Sequence, residues 1–478
     1  MTAINETTFA LEPGHAAAPT RFALVGQILC AVVPLALWFM PVDIDPTTKH
    51  GLAISMFMVV AWITQALDYT VAGFIGCFLY WALGVVRFPV AYSGFANDTA
   101  WFLFSALLIG VIATQSGIAR RLAFIIMLRI GTTYPRLLLG LIVTDFLLTF
   151  IVPSGIARLV IMAAIALGLV EVFRVKTGSN VARGMFLVLT YTANLFDKMI
   201  IAGAGSITAR GGIEKFGGVE VLWSKWFIAF LPCSIISVLA AWWLTLWLYP
   251  PEQVSLEGGR DYLRQEFEKL GTWSIQEKKA AALLAAAVVL WLTDFAHHVS
   301  PSVIGMGVVM FALLPRVGIL EAADLRKLNY MPVFFVAAAI SMGNVLEATK
   351  GIALITDVIF GAIQPYFTSL FATTVIMYWA GFVYHFFLAS EISMLGTSIP
   401  VVMNFAKSQG MSPLLLGMIW TFAAGGKLFA YQSGVLIVGY SYGYFEARDL
   451  IRLGWWLTVV EFVVLLALVQ LYLSLIHI

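Results

Sequence analysis

The sequence predicts an all-α polytopic membrane protein that crosses the bilayer about eleven times. The chain is 61% hydrophobic and only 11% charged, whereas a soluble domain carries about a quarter charged residues. Apolar runs of about twenty residues, the length that spans a bilayer core, recur along the chain. Two long stretches also follow the same order of spans and interruptions, which predicts an inverted repeat.

The predicted repeat relates residues 97–230 to residues 329–460. Ser154 lies at a Pro-Ser-Gly interruption in the first copy, and Ser390 opens the corresponding motif in the second. A Leu-Phe pair follows at a similar distance in both copies. Paired interruptions in corresponding halves are typical of secondary transporters, whose binding site lies where the repeats meet.

The first half is predicted over residues 22–250, after a polar cytoplasmic tail at residues 1–21. Four apolar spans precede an Arg-flanked amphipathic stretch that is typical of an interfacial helix. Residues 135–172 form two apolar arms around a Pro-Ser-Gly tip and are predicted as a re-entrant hairpin, with two full spans as the alternative. Charge and glycine interrupt residues 183–222, which predicts a broken helix.

Residues 251–279 are polar and are predicted as a cytoplasmic linker between the halves. The second half, residues 280–478, repeats the pattern with a hairpin at 366–406 and a broken helix at 412–444. Lys and Arg concentrate in the segments that this topology places on the cytoplasmic side. By the positive-inside rule, the N-terminus is expected in the cytoplasm and the chain in the plasma (inner) membrane.

Five ionisable residues are predicted at membrane depth, each at an interruption. Such residues are costly in a bilayer and usually face a cavity or a partner, so they are candidates for function. The excess of cations among them indicates an anionic substrate. Internal pairing of Arg158 with Asp197, or of Lys427 with Glu391, is the structural alternative. The five residues are Arg158, Lys198, Lys427, Asp197 and Glu391.

The predicted hairpin tips can also bind an anion. Helices that begin near Gly155 and Ile392 would aim their positive dipole ends at the membrane midplane. The hydroxyls of Ser154, Ser390 and Ser393 would add hydrogen-bond donors there. Alternatively, each serine is bonded to its own helix.

Four further polar residues lie in apolar stretches of the sequence. Asn194 precedes the first broken-helix interruption and is a candidate for substrate binding. His385 lies five residues before the second tip and can either carry a proton or pack as a hydrogen-bonded core residue. Glu461 is predicted to bond between helices, and the role of Asp145 is left open.

Several protein classes lack support in the sequence. The charges are scattered through short loops, so no nucleic-acid footprint is present. The three cysteines have unrelated spacings within apolar spans, which does not indicate a disulfide or metal framework. No cofactor or nucleotide-binding motif is present. An intramembrane enzyme using His385 and Glu391, or an ion channel, are the alternatives from other classes.

The order of interfacial helix, hairpin and broken helix, repeated after a polar linker, resembles the divalent anion/sodium symporters of the ion-transporter superfamily. PSGIAR at 153–158 is similar to the family's P-S-N-T-A-R, and SEISMLGTSIP at 390–400 is similar to its second S-N-T motif. Residues 431–454 resemble the family's closing segment. The resemblance implies uptake or exchange of di- or tricarboxylates, or of sulfate, by an elevator motion. It also implies a homodimer.

The sequence departs from both family motifs. In the family, the Ser-Asn-Thr side chains face the substrate and the tips help to form sodium sites. Here Gly155 and Ile156 replace one Asn-Thr pair, and Glu391 and Ile392 replace the other. Arg158 and the two lysines can supply the missing carboxylate contacts by charge.

The altered tips also leave the coupling ion open between H⁺ and Na⁺. Glu391 can ligate sodium or carry a proton, and Asp197 and His385 are further coupling candidates. Alternatively, Lys198 or Lys427 stands where a sodium ion would bind. We therefore favour proton-coupled or ion-independent exchange of a small organic anion. Sodium symport and inorganic or metalloid oxyanion transport are the alternatives.

Overall fold

The structure is a computed structural model that describes residues 21–176, 178–252, 257–388 and 390–473. These residues form helices and turns, and no strand occurs among them. Nearly all of the predicted tail at 1–21 lies outside the described residues. In chain order the α-helices are α1 (Arg21–Phe39), α2 (Pro46–Thr64), α3 (Tyr69–Ala82), α4 (Phe88–Ala91), α5 (Asp98–Gln115), α6 (Ile118–Ile130), α7 (Tyr134–Thr149), α8 (Gly155–Val172), α9 (Asn180–Phe196), α10 (Ala204–Gly212), α11 (Trp223–Leu248), α12 (Gly259–Lys269), α13 (Ile275–Leu292), α14 (Asp294–His297), α15 (Pro301–Ala312), α16 (Ala322–Lys327), α17 (Met331–Ala348), α18 (Gly351–Gly361), α19 (Leu370–His385), α20 (Glu391–Ser408), α21 (Pro413–Ala423), α22 (Gly434–Ser441) and α23 (Ala447–Leu468).

The helices of the two halves follow the same order. The series α5 to α11 is matched in order by the series α17 to α23. The opening helices α5 and α17 each have 18 residues. The next long helices, α7 and α19, each have 16 residues, and their partners α8 and α20 each have 18. The interruptions of the apolar spans in the two halves therefore correspond to the ends of helices that match in order.

The interruptions begin and end where the local chemistry stops a helix. Between α7 and α8, Pro153 cannot donate a backbone hydrogen bond and Ser154 caps the new helix. Between α9 and α10 the chain turns over residues 197–203. A π-helical turn, Ile213–Gly217, then extends α10. Between α21 and α22 lie residues 424–433, which include the 3₁₀ turn Ala430–Gln432.

Five of the described helices are long and apolar enough to cross a membrane, namely α5, α8, α11, α17 and α23. Shorter apolar helices, including α3, α15 and α19, accompany them. Large apolar side chains remain exposed along α1, α11 and α23, as expected where lipid replaces water as the solvent. The chain is therefore a polytopic membrane protein. Because α8 meets the length criterion, helix length does not separate a re-entrant hairpin from two spans.

The two halves of the chain pack through their hairpin helices. Helix α8 packs against α9 of its own half and against α22 of the other half. Correspondingly, α20 packs against α21 of its own half and against α10 of the other half. Helices α5 and α17 pack against α10 and α20, respectively. Because each half packs against the other in this way, the interruptions of both halves lie together at one place.

Candidate functional site

The interruptions surround a cavity inside the helical bundle. The turn before α8, the turn before α20 and the starts of α10 and α22 form its walls, and apolar side chains of α5 close one side. Its empty space is about 680 Å³, including the mouth. The polar lining comes from Ser154, Asp197, Ser390, Glu391 and Ser433. Two carboxylates and three hydroxyls thus face the same space.

Four of the described helices begin at the cavity wall: α8, α10, α20 and α22. The hydroxyl oxygens of Ser154, Ser390 and Ser433 cap three of them, accepting backbone N–H groups at 3.3, 3.1 and 3.3 Å. A capping hydroxyl keeps its own proton, which it can donate to a ligand. The positive ends of the four helices add to this donor character. The cavity wall is therefore suited to an anion.

Arg158 is fully buried behind the tip of the first hairpin. Its guanidinium lies 2.9 Å from Asp145 and 2.7 Å from Asp197. It also donates to the carbonyl oxygens of Val152, at 2.9 Å, and of Ala193, at 2.8 Å. Arg158 thus joins α7, the hairpin turn and the end of α9 through one planar group. Asp197, with its side chain 22% exposed, brings this cluster to the cavity.

Lys427 is buried behind the tip of the second hairpin. Its ammonium lies 2.6 Å from a carboxylate oxygen of Glu391 and 2.5 Å from the side-chain oxygen of Asn194. Glu391 opens α20 and lines the cavity, whereas Lys427 and Asn194 do not. Glu391 also lies over Gly205, where an added Cβ would be 2.8 Å from its second carboxylate oxygen. The close approach requires glycine at the start of α10.

Lys198 and His385 lie deeper than the cavity wall. The Lys198 ammonium is 3.5 Å from Glu461 on α23 and 4.8 Å from the centre of the Phe422 ring. It also packs against the backbone of Gly425, in the interruption before α22. Both ring nitrogens of His385 are buried and lack a hydrogen-bond partner among the described residues. Substrate binding by Lys198 and proton coupling by His385 stay predictions.

The structure corrects the argument from an excess of positive charge. Asp145 and Glu461 belong to the same buried network as Arg158, Lys198 and Lys427. With Asp197 and Glu391, the described network therefore holds four carboxylates against three cations. The cations are hidden, and the two carboxylates that reach the cavity are the exposed members. An anionic substrate must be inferred from other features.

The cavity wall includes residues that were predicted from the sequence and others that were not. Ser154, Gly155, Asp197, Ser390 and Glu391 all line the cavity. The starts of α10 and α22 were not predicted to contribute. A signal existed for α22, because a Ser-Gly pair after an interruption is a typical helix start. For α10 the first position, after Gly203, has no side-chain cap, so no such signal existed.

A bundle of apolar helices around a cavity that contains carboxylates and hydroxyls, with buried charges at its interruptions, is the architecture of a membrane transporter. A family model described as the sodium:sulfate symporter transmembrane region matches residues 22–478. The chain therefore belongs to this family of anion transporters, as the resemblance of its two tip motifs predicted. It is a transporter rather than an enzyme, because its family and relatives are symporters and antiporters.

Curated relatives are similar over most of the chain. A membrane protein of Cupriavidus necator strain H16 is 27% identical over 349 residues, which cover 69% of this chain and 68% of the relative. The L-tartrate/succinate antiporters of Shigella flexneri and Escherichia coli K12 are each 25% identical over 375 residues, 76% of both chains. These similarities support an integral membrane protein that transports anions.

Proposed function

We propose that the chain is a secondary active transporter or exchanger of a small organic anion of the di- or tricarboxylate class. The observation that carries this proposal is the convergence of four described helix N-termini on one cavity. Two pairs of positive helix ends suit a ligand with two separated carboxylates. The names of the L-tartrate/succinate antiporters support the same substrate class.

The proposed substrate contacts come from the cavity wall and from the cations behind it. Ser154, Gly155 and Ser390 would present hydroxyl and backbone donors, and Glu391 would control access to Lys427. Asn194 holds the Lys427 ammonium from the other side. Arg158 and Lys198 would act through the positive potential they add behind the tips.

Proton-coupled or ion-independent exchange is the proposed mode of transport. Lys427 and Arg158 already place fixed positive charges beside the carboxylates at the two tips, where a coupling cation would otherwise be needed. Glu391, Asp197 and His385 are the proposed coupling residues. Sodium symport is the second candidate, because carboxylate and hydroxyl oxygens are hard ligands that line the cavity. The family description also supports sulfate or another oxyanion as an alternative substrate.

The matched helix series supports an inverted repeat in which each half contributes one re-entrant hairpin and one broken helix. We propose about eleven crossings in a plasma membrane, with the N-terminus and the 251–279 linker in the cytoplasm. The hairpins and broken helices would form the moving domain of an elevator. The remaining long helices would form a scaffold, and two copies of the chain would form a homodimer.

Transport by the purified chain tests the proposal. Proteoliposomes preloaded with unlabelled succinate are expected to take up labelled succinate without sodium, because the site already contains its own cations. Protein-free liposomes are the control, and competition by unlabelled sulfate tests the oxyanion alternative. Uptake only with sodium would favour symport. The absence of uptake in both conditions would contradict a dicarboxylate substrate, and an electrical conductance would favour a channel.

A further inference from the structure

We propose that Glu391 is a built-in competitor of the substrate. In the empty carrier its carboxylate occupies the position of one substrate carboxylate, and an organic dianion displaces it from Lys427 on binding. This inference rests on the proposed function, since it concerns the same cavity. It adds a consequence that the proposed function alone does not have, namely that neutralising Glu391 tightens substrate binding.

The Glu391 carboxylate lies in a position suited to a substrate carboxylate. One oxygen is 2.6 Å from the Lys427 ammonium. The other lies over Gly205, the second residue of α10, and accepts no hydrogen bond from the described residues. The carboxylate is thus placed between an ammonium group and the positive end of a helix. Its hydrogen bonds do not use its full capacity, so a carboxylate of the substrate can replace it there.

Lys427 requires an anion at this position. The ammonium is fully buried, and its second partner, Asn194, is neutral. A buried charge that loses its counter-charge is strongly destabilising. Glu391 can therefore leave only when another anion arrives. Since its side chain is 12% exposed and lines the cavity, a carboxylate that enters the cavity can reach this position directly.

The other two buried cations do not offer such an exchange. Arg158 would keep Asp145 as a partner if Asp197 moved away. Lys198 and Glu461 are each only 1% exposed and do not line the cavity. Among the described ion pairs of the network, the Lys427–Glu391 pair combines a buried cation, a single carboxylate partner and contact with the cavity.

This arrangement has a consequence for the transport cycle. With Glu391 on Lys427, the empty carrier moves through the membrane with the Lys427 charge compensated. Without Glu391, Lys427 is compensated only when substrate is bound. Moving an uncompensated charge through the low-dielectric interior is unfavourable. Net uptake, which needs return of the empty carrier, should therefore depend on Glu391 more than exchange does.

Rescue by added acetate tests whether the position of the Glu391 carboxylate beside Lys427 accepts another carboxylate. The test makes no assumption about the transported substrate. Glu391→Ala is expected to unfold at a lower temperature than the original chain, and acetate is expected to raise its midpoint. Chloride at equal ionic strength is the control. The original chain, in which acetate must first displace Glu391, should respond less, and the double variant Glu391→Ala/Lys427→Met should not respond to acetate. An equal response of all three proteins, or an acetate effect no larger than that of chloride, would overturn the inference.

Substrate affinity gives a second test with a variant that keeps the side-chain volume. Glu391→Gln is expected to bind succinate roughly tenfold more tightly than the original chain, which corresponds to about 1.4 kcal/mol. Its net uptake should fall more than its exchange. Glu277→Gln is the matched control: it neutralises the carboxylate of another buried ion pair, with Arg121, that does not line the cavity, so it should not tighten binding.

If the unsubstituted chain transports succinate but Glu391→Gln binds it no more tightly, that result would overturn the inference about Glu391. It would leave the proposed function standing. Failure of the unsubstituted chain to carry succinate would instead contradict the proposed substrate, and the acetate experiment would still decide the role of Glu391.

Discussion

At the scale of single residues, the site depends on buried ion pairs whose members come from different helices. Arg158 satisfies two carboxylates and several carbonyl oxygens at the tip of the first hairpin. Desolvation makes each buried charge costly, so a charge left without any partner destabilises the fold. The same pairs keep the cations out of the cavity, which leaves carboxylates and hydroxyls on its surface.

Asp145, the fully buried partner of Arg158, should contribute strongly to the stability of the fold. We expect Asp145→Asn to lower the free energy of unfolding by about 3 kcal/mol, because it removes one partner of a buried ion pair. Asp98→Asn is the control, since Asp98 is 54% exposed and lies 3.7 Å from Arg210. Its loss should cost less than about 1 kcal/mol. Thermal or denaturant unfolding in detergent measures both, and equal effects would contradict the central role of Asp145.

The sequence indicated which charges are buried better than it indicated their partners. A charge in an apolar span is visible in the sequence, so Arg158, Lys198 and Lys427 could be identified. The pairings of Arg158 with Asp197 and of Lys427 with Glu391 are the structural alternative that the sequence offers, and the structure contains both. The ion pair between Lys198 and Glu461 could not be predicted from the sequence, because it depends on how α23 packs beside the first broken helix.

At the scale of helices, the site is made by helix ends rather than by helix faces. Ser154, Ser390 and Ser433 start helices at the cavity and place hydroxyl groups on its wall. The Ser390 hydroxyl also lies 2.7 Å from the hydroxyl of Ser393. Pro153 ends one segment and Ser154 begins the next, so the first tip is encoded locally. The start of α10 depends on Gly203 and Gly205, which admit the close approach of Asp197 and Glu391.

Removing the Ser390 cap should affect both the stability of α20 and the binding of the ligand. Ser390→Ala is expected to destabilise the protein by about 1 kcal/mol through loss of the α20 cap. It should also weaken succinate binding, because a donor is lost from the cavity. Ser274→Ala removes a comparable cap from α13, which does not line the cavity, and should leave binding unchanged. Binding that is equally affected in both variants would show that stability, not a direct contact, controls affinity.

At the scale of the whole molecule, the cavity exists because each hairpin helix packs against the broken helix of the other half. Helix α20 also packs against α17, which belongs to the proposed scaffold. An elevator motion would require α20 to slide past α17 while the scaffold helices keep their mutual contacts. The two kinds of contact can be distinguished by cross-linking.

A cross-link between the proposed moving and fixed domains should stop transport. An added Cβ at Gly396 lies 3.1 Å from the Cβ of Ala339, on α17, and needs only a small adjustment for a disulfide. In a background without the native cysteines, oxidation of the 339–396 cysteine pair is expected to abolish exchange, and reduction to restore it. The control pair joins Gly305 and Ser105 on two scaffold helices, where an added Cβ at Gly305 lies 3.5 Å from the Cβ of Ser105. Normal exchange by the oxidised 339–396 pair would contradict the elevator.

The sequence by itself determined the helical membrane class, the order of elements and the places where helices break. These features follow from local chemistry: apolar length, proline, glycine, capping serines and charges that a bilayer does not tolerate. Only the tertiary structure decided that four helix ends share one cavity and that carboxylates, rather than cations, line it. Those outcomes depend on contacts between the two halves, whose geometry is set by packing and not by any local pattern.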